Sequence, residues 1–119
     1  MKLLAVFIGG GLGSLARYEL SLYIGSGAIN WSTFLSNLFS SFLLGIIINL
    51  IPENEKSSAT YLLVAIGFCG GFSTFSTFSL ENFMLFKNAH YNLLFLNIAI
   101  NVILCFLGVV LGYKILKWS

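Results

Sequence analysis

Apolar residues run almost without interruption through four stretches of the chain, residues 3–24, 31–51, 60–86 and 91–116. A hydrocarbon core about 30 Å thick is crossed by roughly 20 helical residues. Each stretch is therefore long enough to span a membrane, and a continuous apolar run in lipid satisfies its backbone as a helix. The predicted architecture is all-α: a single membrane domain over residues 1–119 with four transmembrane helices. The interruptions are short and chemically distinct: Gly25-Ser26-Gly27, Pro52-Glu53-Asn54-Glu55-Lys56 and Lys87-Asn88-Ala89-His90. Trp31, Tyr61, Tyr91, Tyr113 and Trp118 fall near span ends, where amphipathic rings prefer the interface.

Inside the spans, small and polar residues recur with helical spacing. Gly9, Gly13 and Arg17 follow one another at intervals of four, as do Thr33, Asn37, Ser41 and Gly45; Asn97, Asn101, Cys105, Gly108 and Gly112 continue the pattern in the fourth span. Each set occupies one helix face. Lipid supplies no hydrophobic drive between helices, so such faces predict where helices meet. Arg17 and Asn37 ask for more than packing. An arginine within a span costs on the order of 3 kcal/mol even on lenient insertion scales, so it faces a partner or a watery cavity.

Composition removes most other classes. The chain is 58% hydrophobic and 8% charged, with acids only at Glu19, Glu53, Glu55 and Glu81 and a net charge of +2. So few charges cannot solvate a soluble domain, and the scattered cations form no nucleic-acid patch. Cys69 and Cys105 lie in apolar stretches and build neither a disulfide framework nor a zinc cluster. Gly11-x-Gly13-x-x-Ala16 satisfies a relaxed dinucleotide fingerprint, but the acid expected about 20 residues later and the βαβ pattern are missing. Lys2 before an apolar run suggests a signal peptide, yet the glycines, Arg17-Tyr18-Glu19 and the lack of an A-x-A site favour retention as a span.

The third span is the least ordinary. Gly70-Gly71 at its middle weakens a helix, and Ser/Thr side chains can re-satisfy the freed backbone groups. The expectation is a third helix broken at mid-membrane at the glycine pair, turning carbonyls and amides into ion ligands. With residues 72–81 helical, Phe72, Phe75 and Phe78 span an arc of about 120°, with Thr74, Thr77 and Glu81 on another face. Aromatic edges are electropositive. Ring edges, the Asn37 N–H2 and hydroxyls can thus hold a small anion shedding its water, without a full charge and weakly enough for release. The residues point to an ion pathway rather than plain packing, and their spacing does not name the ion.

The chain resembles the CrcB, or Fluc, fluoride-channel family. The resemblance runs over essentially the whole length and is carried by Gly-Gly-Gly-Leu-Gly-Ser-Leu-Ala-Arg-Tyr at 9–18, by Asn37 and, most specifically, by the 67–79 run Gly-Phe-Cys-Gly-Gly-Phe-Ser-Thr-Phe-Ser-Thr-Phe-Ser. It implies passive, selective export of F⁻ by an antiparallel dual-topology dimer in a bacterial plasma membrane. By motif position it implies a fluoride pathway of Phe75, Phe78, Asn37, Ser76 and Thr77, a vestibule or structural role for Arg17, and a central structural Na⁺ held by the backbone carbonyls of Gly70 and Ser73. Ser40 stands where the family commonly has glycine.

Lys2, Lys56, Lys114 and Lys117 lie on one side of the predicted spans and Lys87, with His90, on the other, which favours cytoplasmic termini. A subunit inserting both ways needs almost no such bias. The partners expected are therefore fluoride, lipid and either a second copy or a homologous subunit of opposite orientation, with no nucleic acid. Two alternatives remain at this level. A small multidrug-type proton-coupled exporter needs an acid at mid-membrane, whereas Glu19 and Glu81 lie toward span ends. A non-transporting membrane assembly protein has no use for exposed mid-membrane carbonyls.

Overall fold

The computed structural model describes residues 1–25 and 27–117; Ser26 of the first turn and Trp118 of the expected interfacial set lie outside them. Helix α1 runs Lys2–Tyr23 and α2 runs Trp31–Leu50. The third span, Ala59–Lys87, is composite: α3 (Ala59–Tyr61), a π-helical segment (Leu62–Phe68), α4 (Cys69–Phe72) and α5 (Phe75–Lys87). Helix α6 covers Tyr91–Ile115. The four spans are long and apolar enough to cross a membrane, and the described residues contain no strand.

Local chemistry sets the boundaries. Asn30 caps α2 by accepting from the Ser32 N–H at 3.2 Å, and Ser58 caps α3 by accepting from the Tyr61 N–H at 3.3 Å, each supplying an acceptor for a donor the helix itself leaves over. The end of α5 is a Schellman turn: His90 N–H reaches the Leu85 carbonyl at 2.9 Å and Ala89 N–H reaches Phe86 at 3.0 Å. The residue in the left-handed position is Ala89, φ 58°, where glycine avoids the Cβ penalty.

Close helix contact comes from the small residues. Helix α1 packs along the π-helical segment and α4, while α2 packs along α6. A Cβ at Gly13 would lie 2.7 Å from the Phe72 nitrogen, and one at Gly67 would lie 2.9 Å from the Gly9 Cα. In the second pair, a Cβ at Gly45 would come within 2.9 Å of the Tyr113 nitrogen, and one at Gly112 within 3.1 Å of the Ile46 nitrogen. Backbones this close gain dispersion contacts that larger residues would forbid. Outward positions carry bulky apolar groups: Phe7, Phe95 and Phe106 are all more than two-thirds exposed, as a surface solvated by acyl chains requires.

The glycine pair corrects one expectation. Gly70 and Gly71 are both helical, within α4, and the extended residues are Ser73 and Thr74. A Cβ at Gly71 would run into the Gly10 backbone, so Gly71 serves helix contact. Phe72 therefore belongs to the helix before the extended pair and does not continue the arc of Phe75 and Phe78. Thr74 is a cap, not a face residue.

Two stability outcomes follow. Gly13→Ala should lower the melting temperature in detergent, with overpacking of about 1–3 kcal/mol, whereas Gly11→Ala, which meets nothing within 4 Å, should be neutral or stabilising. Ala89→Gly should raise it, relieving about 1 kcal/mol of left-handed strain.

Candidate functional site

The site is organised by the interval between α4 and α5. A continuous helix would pair the Thr74 N–H with the Gly70 carbonyl. Instead that N–H donates to Asn37 Oδ1 of α2 at 2.8 Å. Ser73 and Thr74 take extended dihedrals, and α5 restarts with Thr74 Oγ1 accepting from the Thr77 N–H at 3.2 Å. At the end of α4, Cys69 O accepts both the Ser73 N–H at 3.0 Å and the Ser73 hydroxyl at 2.7 Å. Arg17 Nε of α1 donates to the Gly71 carbonyl at 3.3 Å, a charged donor on a carbonyl that the helix end leaves over.

Three cavities border this interval. One of about 270 Å³ brings together Asn37, Phe75 and Phe78 with Ser41, Asn101 and Cys105 from the facing seams of α2 and α6. None of its lining side chains is ionised. The rings of Phe75 and Phe78 lie 5.7 Å apart at an interplanar angle of 48°. Phe78 is buried, whereas Phe75 is 79% exposed within the single chain. A second cavity, about 290 Å³, holds Arg17 among hydroxyls that include Ser14, Thr33, Thr74 and Thr77. A third, about 180 Å³, is bordered by Ser40, Gly70 and Ser73.

The expected pathway residues thus divide. Asn37, Phe75 and Phe78 share one cavity, whereas Thr77 lies on the Arg17 side, with its hydroxyl 3.0 Å from that of Thr74. Ser76 is exposed, its hydroxyl 3.3 Å from Thr74 Oγ1. Arg17 stands outside the phenylalanine cavity. Gly70 and Ser73 meet in the third cavity, where the hydroxyl of Ser40 is buried without a protein partner. Helical spacing marks Thr33 as a seam residue but does not give its partner: its hydroxyl donates to Glu81 Oε1 at 2.5 Å. Asn97 and Asn101 form a helical repeat in the sequence, and the structure supplies their partners, Asn82 and Asn37.

The chain is similar to known proteins over most of its length. The family model described as CrcB-like protein, Camphor Resistance (CrcB), matches residues 4–113. The chain is 40% identical over 120 residues to the fluoride-specific ion channel FluC of Gloeothece citriformis, covering 98% of each. It is 41% identical over 114 residues to the FluC of Phocaeicola vulgatus, covering 93% of this chain and 94% of the relative. To the FluC of Pyrococcus abyssi it is 42% identical over 112 residues, covering 92% and 91%.

Asn37→Ala should deprive the partly buried Thr74 N–H of its acceptor, at about 1–3 kcal/mol. The expected outcome is a lower melting temperature and hydrogen exchange at the Thr74 amide accelerated by roughly tenfold or more, read by NMR in micelles.

Proposed function

The chain belongs to the CrcB family, and on that footing we propose that it is a passive, fluoride-selective channel of the cell membrane. The observation that carries this reading is the cavity in which Asn37 N–H donors and the rings of Phe75 and Phe78 converge with no ionised side chain among them. A dehydrated anion is met there by ring edges and amide hydrogens. Without a formal positive charge, binding stays shallow enough for the ion to leave. Arg17 and the hydroxyls of Thr33 and Thr77 border the neighbouring cavity, where a cation raises the local concentration of anions before they lose water. Thr77 and the adjacent Ser76 serve this approach.

Export needs no pump. HF crosses a bilayer uncharged and ionises in a less acidic cytoplasm. A resting potential then drives the anion outward with about 2.3 kcal/mol per 100 mV. The relatives are named as ion channels, and the reading assigns this chain no catalysis. The proton-coupled exporter draws no support from the acids: Glu19 is exposed on α1, and Glu81 is bonded to Thr33 in the first turn of α2, near a span end.

We further propose that the chain works as an antiparallel dual-topology dimer with a break in the third helix at membrane depth. Irregular backbone at that depth must be covered by protein or line a wet cavity. Gly70 is exposed in the single chain, with nothing within 4 Å of an added Cβ, and Phe75 is uncovered. A second copy, or a homologous subunit of opposite orientation, would cover both. The donor set at this surface suits Na⁺. The Thr74 N–H that helical register would give Gly70 is taken by Asn37, and the buried Ser40 hydroxyl in the same cavity lacks a partner. The carbonyls of Gly70 and Ser73 would hold the ion, with Ser40 beside them. Bound there, Na⁺ would supply one positive charge against converging carbonyl dipoles.

Liposomes containing the purified protein and loaded with F⁻ and Cl⁻ test the reading with ion-selective electrodes. The expected outcome is F⁻ release with Cl⁻ retained; no F⁻ release in Na⁺ buffer removes the channel. Phe75→Ile and Phe78→Ile should each cut F⁻ flux by about tenfold or more, equivalent to about 1.4 kcal/mol of barrier, with the elution volume unchanged. Full flux in both would reduce the rings to packing.

A further inference from the structure

A line of side-chain amides crosses the bundle from α5 to the extended pair. Asn97 Nδ2 donates to Asn82 Oδ1 at 3.0 Å, and Asn101 Nδ2 donates to Asn97 Oδ1 at 3.1 Å. Asn37 Nδ2 lies 3.5 Å from Asn101 Oδ1, and Asn37 Oδ1 accepts the Thr74 N–H at 2.8 Å. Asn97 and Asn101 are only 1% and 5% exposed, in a helix whose other residues are mostly apolar. Amides so placed persist because each finds donors and acceptors in its neighbours.

Two main-chain groups set the direction of the line. The Thr74 N–H can only donate, so Asn37 must turn its oxygen toward it. The Asn97 main-chain carbonyl can only accept, and it takes Asn101 Nδ2 at 2.9 Å. Asn101 therefore presents its nitrogen to Asn97 and its oxygen to Asn37. Every link then runs the same way, each amide giving N–H to the oxygen of the next, from Asn37 to Asn82. Asn37 has its oxygen on Thr74 and one N–H toward Asn101, which leaves its second N–H for the cavity shared with Phe75 and Phe78.

We propose that Asn101, backed by Asn97, is a positioning residue for anion conduction: the amide line locks Asn37 with a donor, not a carbonyl, toward the cavity. An anion there meets N–H, and a cation finds no oxygen from Asn37. The inference rests on the channel reading and adds to it the device that sets the polarity of Asn37. Accepting the Thr74 N–H at its oxygen also polarises the Asn37 amide, strengthening its N–H donors.

The full-length protein in liposomes tests this through Asn101→Asp, which keeps the shape of the amide. A neutral carboxyl offers O–H to the Asn97 carbonyl and an oxygen to Asn37; an ionised one offers only acceptors and sets oxygen against oxygen. Position 101 is buried, which lifts a carboxyl there above its ordinary range. The variant's F⁻ efflux, as a ratio to the unsubstituted protein at the same pH and corrected for empty liposomes, should therefore be roughly tenfold higher near about pH 5.5 than near about pH 8.5. A ratio independent of pH overturns the proposal. Asn101→Leu, which removes donor and acceptor at similar volume, should lower efflux by about tenfold at every pH; full efflux also overturns it.

An NMR measurement on ¹⁵N-asparagine-labelled protein in micelles separates this proposal from the channel reading. The Asn37 side-chain N–H2 resonance should move in Asn101→Leu and stay in place in Asn54→Ala, a control in the short 3-10 turn Glu53–Glu55 between α2 and α3. Absence of F⁻ release by the unsubstituted protein would defeat the channel reading, while an unmoved Asn37 resonance would defeat the amide line whatever the flux.

Discussion

A backbone N–H in a helix end can be donated to a carbonyl one turn back or to something else, and most of this structure's functional geometry turns on the second choice at Thr74. Its partner is Asn37 Oδ1 from α2, at 2.8 Å. Both groups are partly buried, and this one hydrogen bond ends α4, positions Thr74 to cap α5 and aims Asn37. It also withdraws a donor from Gly70. The cavity of Asn37 and Phe78 and the cavity of Gly70 and Ser40 are therefore two consequences of the same contact.

That contact requires α2 and the third span to be held at a fixed distance, and the glycine seams do this indirectly. Helix α1 lies against the π-helical segment and α4 through Gly9, Gly13, Gly67 and Gly71; α2 lies against α6 through Gly45, Gly108 and Gly112. Each pair is close because no Cβ intervenes. The polar residues continue the same faces past the glycines, so the backbone approach that packs the helices also brings Asn37, Ser41, Asn101 and Cys105 to one cavity. The wider turn of the π-helical segment, where the Cys69 N–H reaches back to the Val64 carbonyl, shifts the helix register just ahead of the extended pair. Such insertions are frequent beside functional sites.

Charge is kept at a distance from the phenylalanine cavity. Arg17 is tied to the Gly71 carbonyl and faces the hydroxyl-lined cavity, and Glu81 is held by Thr33. A full positive charge among Phe75, Phe78 and Asn37 would deepen the well for any anion and slow its departure. Partial charges on rings and amides leave a shallower one. In the proposed pathway such partial charges would have to be aimed, which gives amide orientation its weight there.

Much of this was legible in the linear sequence. The four spans follow from apolar run length against membrane thickness, and the seams from a spacing of three or four that any helix turns into a face. Asn37 stood out as a polar group within a span, and Phe75 and Phe78 through the hydroxyls interleaved with them after the glycine pair. The position of the extended pair was not legible. Gly70-Gly71 has the weakest helix propensity in the span, yet both residues are helical and Gly71 packs against α1; the helix yields at Ser73 and Thr74. Spacing did set Thr77 on a face apart from Phe75 and Phe78, as their separate cavities do, but it did not connect Asn82, Asn97 and Asn101 to Asn37. Sequence by itself determined what each helix needs to bury, because hydrophobic length and periodicity are local properties of one chain segment. Where the third span bends and which way each amide points were decided only by the tertiary structure, since the acceptor for Thr74 lies 37 residues away on another helix.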